Sequence, residues 1–100
     1  MVKLSPVNVD DLTAVAVEVD LPATHLVAVS TGRGYVMCGA LDVRLLDERL
    51  ASRRIVAARV VGIKTVDELL AGAVDDCTAA ARELGVRVGM TGRDALRLMA

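Results

Sequence analysis

The sequence predicts an α+β fold: a small single domain with a mixed β-sheet and one βαβ crossover, packed by three to four helices. Three observations carry that prediction. Strand-like segments crowd the first part of the chain. An amphipathic stretch then separates two apolar strands. The last third is cut into helical pieces by capping residues and glycines. A length of 100 residues fits one domain, spanning 1–100. A hydrophobic content of 54% supplies a core and excludes disorder.

Taken in order, Val2 to Val9 mixes apolar and polar residues as a strand does, and Pro6 places it at an edge. Asp10 and Asp11 make a turn. Leu12 to Asp20 alternates with period two, setting Val15, Val17 and Val19 on one face and Ala14, Ala16 and Glu18 on the other. After a break over Leu21 to Thr24, His25 to Ser30 is a nearly continuous apolar strand. Thr31-Gly32-Arg33-Gly34 is a turn, and Tyr35 to Cys38 returns as a strand. Gly39 opens a helix over Ala40 to Ser52. Its apolar stripe is Leu41, Leu45, Leu46 and Leu50, and Arg44 and Glu48 are spaced to pair.

Ile55 to Ile63 is β-branched and apolar, the best candidate for a central strand. Its one charge, Arg59, must be paired, at an edge or at a subunit contact, because an isolated buried charge is costly. Thr65 and Glu68 form a capping box that starts a short helix, ended by Gly72 as a C′ glycine ends one. Val74 to Leu84 reads as a helix with Val74, Cys77, Ala81 and Leu84 on one stripe, stopped by Gly85. Arg87 to Met90 connects. Thr91 caps a last helix that runs to about Met99.

Charge and composition exclude several functions. Twelve basic and thirteen acidic side chains leave a net charge of −1, so no bulk field favours nucleic acid or an acidic membrane surface. The one aromatic, Tyr35, builds no stacking platform for single strands. No stretch approaches a membrane span in length. No signal peptide is visible, and Cys38 and Cys77 lie far apart, so a cytoplasmic protein with two free thiols is expected. One histidine, His25, without a Cys-x-x-Cys or His-x-x-x-His pair, predicts no metal site. Neither a Walker A loop nor a dinucleotide glycine pattern occurs, and no cofactor is expected.

Three phrases carry a family resemblance. They are Arg33-Gly34-Tyr35-Val36-Met37-Cys38-Gly39-Ala40-Leu41-Asp42, Gly62-Ile63-Lys64-Thr65-Val66-Asp67-Glu68-Leu69-Leu70 and Gly89-Met90-Thr91-Gly92-Arg93-Asp94-Ala95-Leu96. In that order and at those separations they resemble the YunC-like family of small bacterial and archaeal proteins, a domain of unknown function. The resemblance covers essentially the whole chain. It implies a compact, stand-alone α+β domain, and it implies no reaction, substrate or cofactor.

The chemistry is therefore sought in the residues. Cys38 is the candidate nucleophile, because a thiol between a strand end and a helix start is exposed to the helix N–H groups that lower its pKa. The alternative is a small buried hydrophobe. Gly39 lets a ligand approach the backbone. His25 falls near the same sheet edge as a possible base for Cys38. Asp42 sits where a helix dipole favours a carboxylate. Lys64 ends the neighbouring parallel strand, where a cation lowers a thiol pKa or holds an anion. Arg93, a cation in the first turn of a helix, is either an anion grip or one half of an ion pair with Asp94 or Asp42. Tyr35 and Met37 share a strand face and are expected to pack, and Cys77 belongs to the core.

Two functions remain. The first is a homo-oligomeric ligand- or protein-binding module, motivated by the high apolar fraction of a short chain and the lack of an acid–base set. The second is a small-molecule enzyme or thiol-dependent sensor built on Cys38, with Gly39, Asp42, Lys64 and Arg93 as contacts for an anionic ligand. A site completed across a subunit interface reconciles them.

Overall fold

In the computed structural model, which describes residues 1–39, 42–48 and 51–100, six strands follow one another across a single sheet in chain order. They are β1 (Val2–Val9), β2 (Leu12–Leu21), β3 (Thr24–Ser30), β4 (Tyr35–Met37), β5 (Ala57–Arg59) and β6 (Asp76–Cys77). The first four form a meander. Its first two turns are tight, with Asp10 at φ 54° and Ala23 at φ 57°. In each two-residue connection, Asp10-Asp11 and Pro22-Ala23, one residue thus takes the left-handed region that reverses the chain. Only β4 and β5 run parallel, with Tyr35 opposite Ala57 and Met37 opposite Arg59. The crossover between them carries α1 (Val43–Glu48) and a 3₁₀ turn (Ala51–Arg53). Three further helices follow: α2 (Val66–Ala71), α3 (Ala79–Glu83) and α4 (Gly92–Leu98).

The expected α+β architecture with one βαβ unit is present, and three elements differ from expectation. The helix expected over residues 40–52 is α1 followed by the 3₁₀ turn; Ala40, Leu41, Arg49 and Leu50 lie outside the described residues. Val43 and Leu46 face the sheet, while Leu45 is exposed. The strand expected over 55–63 is confined to β5. Its parallel partner β4 is three residues long, and beyond Val60 the chain turns away through Gly62 at φ 76°.

The helix expected over 74–84 is really β6 followed by α3. Arg59 and Asp75 form a forked ion pair, with both N–O distances 2.9 Å, and Asp75 N donates to the Arg59 carbonyl at 2.9 Å. Those bonds pull the segment into the sheet before a helix can start. Arg59 is thus paired, as an otherwise costly charge must be. Thr78, 1% exposed, then caps α3 by accepting from Ala81 N, and its hydroxyl donates to the Ile55 carbonyl at 2.6 Å.

The capping box of α2 forms as the sequence indicates: Thr65 accepts from Glu68 N at 3.1 Å, and Glu68 Oε1 accepts from Thr65 N at 3.2 Å. Gly72 ends α2, yet in an extended conformation rather than the left-handed one of C′ glycines. Its glycine is needed for room. A Cβ there would lie 2.6 Å from Val60 Cγ1 and 3.0 Å from the Glu68 carbonyl oxygen.

The sheet has two unlike faces. One carries Val9, Ala14, Ala16, Val27, Val29, Val36, Ala58 and Cys77, and it packs on Leu69 and Leu70 of α2 and on Ala95 and Leu96 of α4. There α4 lies backbone-close to α2, for a Cβ on Gly92 would come 2.3 Å from the Leu69 carbonyl oxygen. Among the described residues the opposite face is covered at one end, where Val43 and Leu46 of α1 meet Tyr35, Met37, Ile55 and Ala57.

Candidate functional site

Cys38 lies one residue past β4 and continues its ladder, its N–H donating to the Val27 carbonyl at 3.0 Å. Strand alternation turns its side chain inward with Val36, and it is 6% exposed. The register that pairs Ala28 with Met37 sets Cys38 opposite Val27, so His25 is its diagonal neighbour on the same face. Such neighbours have Cα atoms about 7–8 Å apart. The imidazole itself engages β2: Nδ1 meets Asp20 Oδ1, and Nε2 lies 3.7 Å from Glu18 Oε1.

Lys64 joins this edge, lining a shallow hollow with Asp20, Thr24 and His25. Gly39 abuts Val61, whose Cγ1 would lie 3.3 Å from a Cβ there. Asp42 is the N-terminal cap of α1, accepting from Leu45 N at 3.0 Å through its carboxylate and from Leu46 N at 3.3 Å through its carbonyl. Arg93 is exposed on α4. The ion pairs at that helix belong instead to Arg97, with Asp10 at 3.0 Å and Asp94 at 3.5 Å.

The fold therefore gathers His25 and Lys64 around one hollow, with Cys38 buried nearby. Asp42 and Arg93 are held by or carried on other elements. Cys77 is fully buried on the core side of β6, and burial raises its thiol pKa. Among the described residues, no group of three or more His, Cys, Asp or Glu side chains is placed to hold a metal ion. No helix among them is long and apolar enough to cross a membrane.

A second region was not singled out in the sequence. The Thr31 hydroxyl organises the turn after β3, accepting from Arg33 N at 3.1 Å and Gly34 N at 3.0 Å, and it lies 3.1 Å from the Met99 carbonyl oxygen. Gly34 presses this turn on the segment before β5, since a Cβ would meet Val56 Cγ1 and the Val56 carbonyl at 2.7 Å. Between turn and segment lies a cleft of about 330 Å³, with Arg33 on one side, Arg53 and Arg54 on the other, and Ser30 and Tyr35 at its base. Burial raises the pKa of the Tyr35 hydroxyl. Arg54 has a left-handed backbone, φ 49°, and pairs with Glu83 of α3. The sequence signal was present in Arg53-Arg54 and in Arg33 between two glycines. Only the parallel crossover brings them together.

The third region is the uncovered face of β1, β2 and β3. Register and alternation put Val2, Leu4 and Pro6 beside Val19, Val17 and Val15, and these beside Leu26, Ala28 and Ser30. Val2 is 64% exposed, Leu4 66% and Val15 47%.

Fold and surface together define a small α+β domain on a six-stranded mixed sheet, with one bare apolar face and a basic cleft near its end. The chain belongs to a family described as a domain of unknown function, DUF1805, whose profile matches residues 37–99. It is 50% identical over 99 residues to an uncharacterized protein, YunC, of Bacillus subtilis (strain 168), covering 99% of this chain and 98% of that one. The crystal structure of a protein of unknown function from Thermoplasma acidophilum has the same fold, with a TM-score of 0.88 at 23% identity, over 100% of this chain and 94% of the other. The YunC-like resemblance of the three sequence phrases is thereby shown.

Proposed function

We propose that this chain is a cytosolic binding module that works as a homodimer, two copies packing face to face through the bare side of β1, β2 and β3. The observation that carries the reading is the composition of that face. Its positions are Val2, Leu4, Pro6 and Asn8 on β1, Thr13, Val15, Val17, Val19 and Leu21 on β2, and Thr24, Leu26, Ala28 and Ser30 on β3. None carries a charge, so a second copy meets it without burying an unpaired ion. An uncharged apolar patch complements itself, as a two-fold interface requires.

The flat face alone supplies only part of the area that a second copy needs. Three strands of about eight residues present roughly 390 Å² of flat face. That is about half of the ~800 Å² a stable pair buries per partner, before side-chain relief and the hairpin ends are added. Edge-to-edge pairing is disfavoured at both margins: Pro6 interrupts the edge of β1, and β6 is two residues long and flanked by Asp75. Face-to-face packing of two sheets is the remaining mode.

Sedimentation velocity at micromolar concentration tests this. The expected result is a dimer that the double variant Leu4→Glu with Val15→Glu converts to a folded monomer. Both side chains are exposed in the single chain, so circular dichroism should be unchanged. A wild-type monomer, or a dimer that survives both substitutions, overturns the proposal.

The reading that makes Cys38 a reactive thiol draws support from His25 and Lys64 at the same sheet edge. Its alkylation rate, compared with that of fully buried Cys77, tests it directly. Rapid modification of Cys38 in the folded protein favours that reading; equal inertness of the two removes it.

A further inference from the structure

We infer that the cleft between the Thr31–Gly34 turn and residues 53–56 binds a phosphate monoester. The argument begins with charge. The chain as a whole is at −1, yet three arginines line this one cleft and no carboxylate-bearing side chain lines it among the described residues. Arg54 is committed to Glu83. Arg33 reaches only the Ala100 carbonyl, at 3.5 Å, and among the described residues Arg53 has no carboxylate partner. Arg33 and Arg53 thus stand on the two segments that line the cleft, and Arg53 carries no ion pair among the described residues.

Geometry then selects the ligand. Arginine forks bind oxyanions through paired N–H bonds. Two forks on opposite walls suit a tetrahedral dianion better than a single carboxylate, which brings one charge and two oxygens. A phosphate monoester carries about −1.5 to −2 at neutral pH and three terminal acceptor oxygens. Tyr35 lines the same cleft, and its hydroxyl can donate a further bond; the Ser30 hydroxyl already donates to the Thr31 carbonyl at 2.9 Å and can only accept. Ile55 and Val56 supply an apolar flank for the organic part of the ester. Gly32 leaves open space where a side chain would stand, so the ligand can approach the turn backbone. A volume of about 330 Å³ accommodates a small ester and is too small for a dinucleotide.

Two features keep the cleft in shape. The Thr31 hydroxyl fixes the turn to Met99 at the end of α4, and Gly34 allows the turn to touch Val56. The left-handed backbone of Arg54, a conformation unusual outside glycine, is a local cost retained at the cleft wall. The inference stands on this cleft alone and does not depend on how copies assemble.

Calorimetric titration with phenyl phosphate tests it, with malonate as the carboxylate comparison and Arg53→Gln and Arg33→Gln as variants. Saturable binding of phenyl phosphate is expected, weakened by about tenfold or more in each variant and by added salt. Arg53 is exposed, so its variant should melt with the wild type; that control guards against a folding defect in Arg33→Gln, which loses the Ala100 contact. No binding at millimolar phenyl phosphate overturns the inference. So does binding that both variants retain, or malonate binding as tightly as the phosphate ester.

Discussion

Adjacent residues of β2 meet opposite surroundings. Ala14 and Ala16 are 1% exposed beneath the helices, whereas Val15 between them is 47% exposed. The smaller side chains are inside and the larger ones outside, the reverse of a simple hydrophobic ranking. Distance explains the inversion. Alanines on the covered face let α2 and α4 come down onto the strands, and Gly92 lets α4 lie against the backbone of α2. On the other face no helix lies over β1, β2 and β3 among the described residues, and Val2, Leu4, Val15 and Leu21 keep water contact. Apolar surface left in water forfeits about 25 cal/mol per Å², which is the driving force behind the dimer proposed above.

Substitutions on the two faces should separate sharply. Leu96→Ala removes a fully buried side chain beneath α4 and is expected to cost about 2–5 kcal/mol, lowering Tm by roughly 4–8 °C for each kcal/mol. Val15→Ser on the open face should change the folding stability of the monomer by less than about 0.5 kcal/mol while weakening self-association. Thermal melts at low concentration, where copies are separate, make the comparison. Equal losses in the two variants would mean that the faces do not differ in the single chain.

A smaller effect should come from the helix that covers the inner face. Thr65→Ala removes the side-chain half of the capping box, the bond to Glu68 N, and leaves the Thr65 N–H bond to Glu68 Oε1, at a cost of about 1 kcal/mol by urea denaturation. A loss near zero would show that packing on the sheet alone holds α2.

The smallest effect concerns the covered end of the outer face. Burial raises the Tyr35 pKa above its ordinary value of 10.0. The folded chain therefore keeps this proton where the unfolded chain releases it. The stability so gained is complete below pH about 10 and is lost as pH rises through the folded value. Cys77, also raised by burial, acts with the same sign from its ordinary 9.0 upward. Tyr35→Phe should flatten the alkaline decline only in part, leaving the Cys77 contribution. Urea midpoints between neutral pH and about pH 11 would show it, and an unchanged slope would place the Tyr35 hydroxyl in water.

Local patterns made much of this fold legible. The individual strands, the parallel crossover and the caps at Thr65 and Thr91 follow from alternation, glycines and hydroxyl spacing, whereas the joining of the first four strands into one meander is seen only in the structure. What sequence alone hid was decided by distant partners. Val74, Cys77, Ala81 and Leu84 have helical spacing, yet the Arg59–Asp75 pair draws the first part of that segment into the sheet. Which face of β2 is inside was hidden as well, since the row with Val15, Val17 and Val19 is the more apolar, yet Ala14 and Ala16 on the row with Glu18 are the buried pair. The site was legible in part. The relation of His25 to Cys38 follows from hairpin geometry, but the cleft joins Arg33 to Arg53 and Arg54 across the whole crossover. No local pattern announces such a meeting.

The brevity of the helices has a kinetic consequence. They hold six, six, five and seven residues, about 8–11 Å each at 1.5 Å per residue. Isolated helices shorter than about 12–15 residues are marginal in water, so none of the four persists before it docks. The two N-terminal hairpins close through contacts near in sequence and need no helix to begin. The expected order is therefore meander first, with each helix ordered by the strand floor that receives it; pulse-labelled hydrogen exchange that protected the helices before β1 to β3 would reverse it.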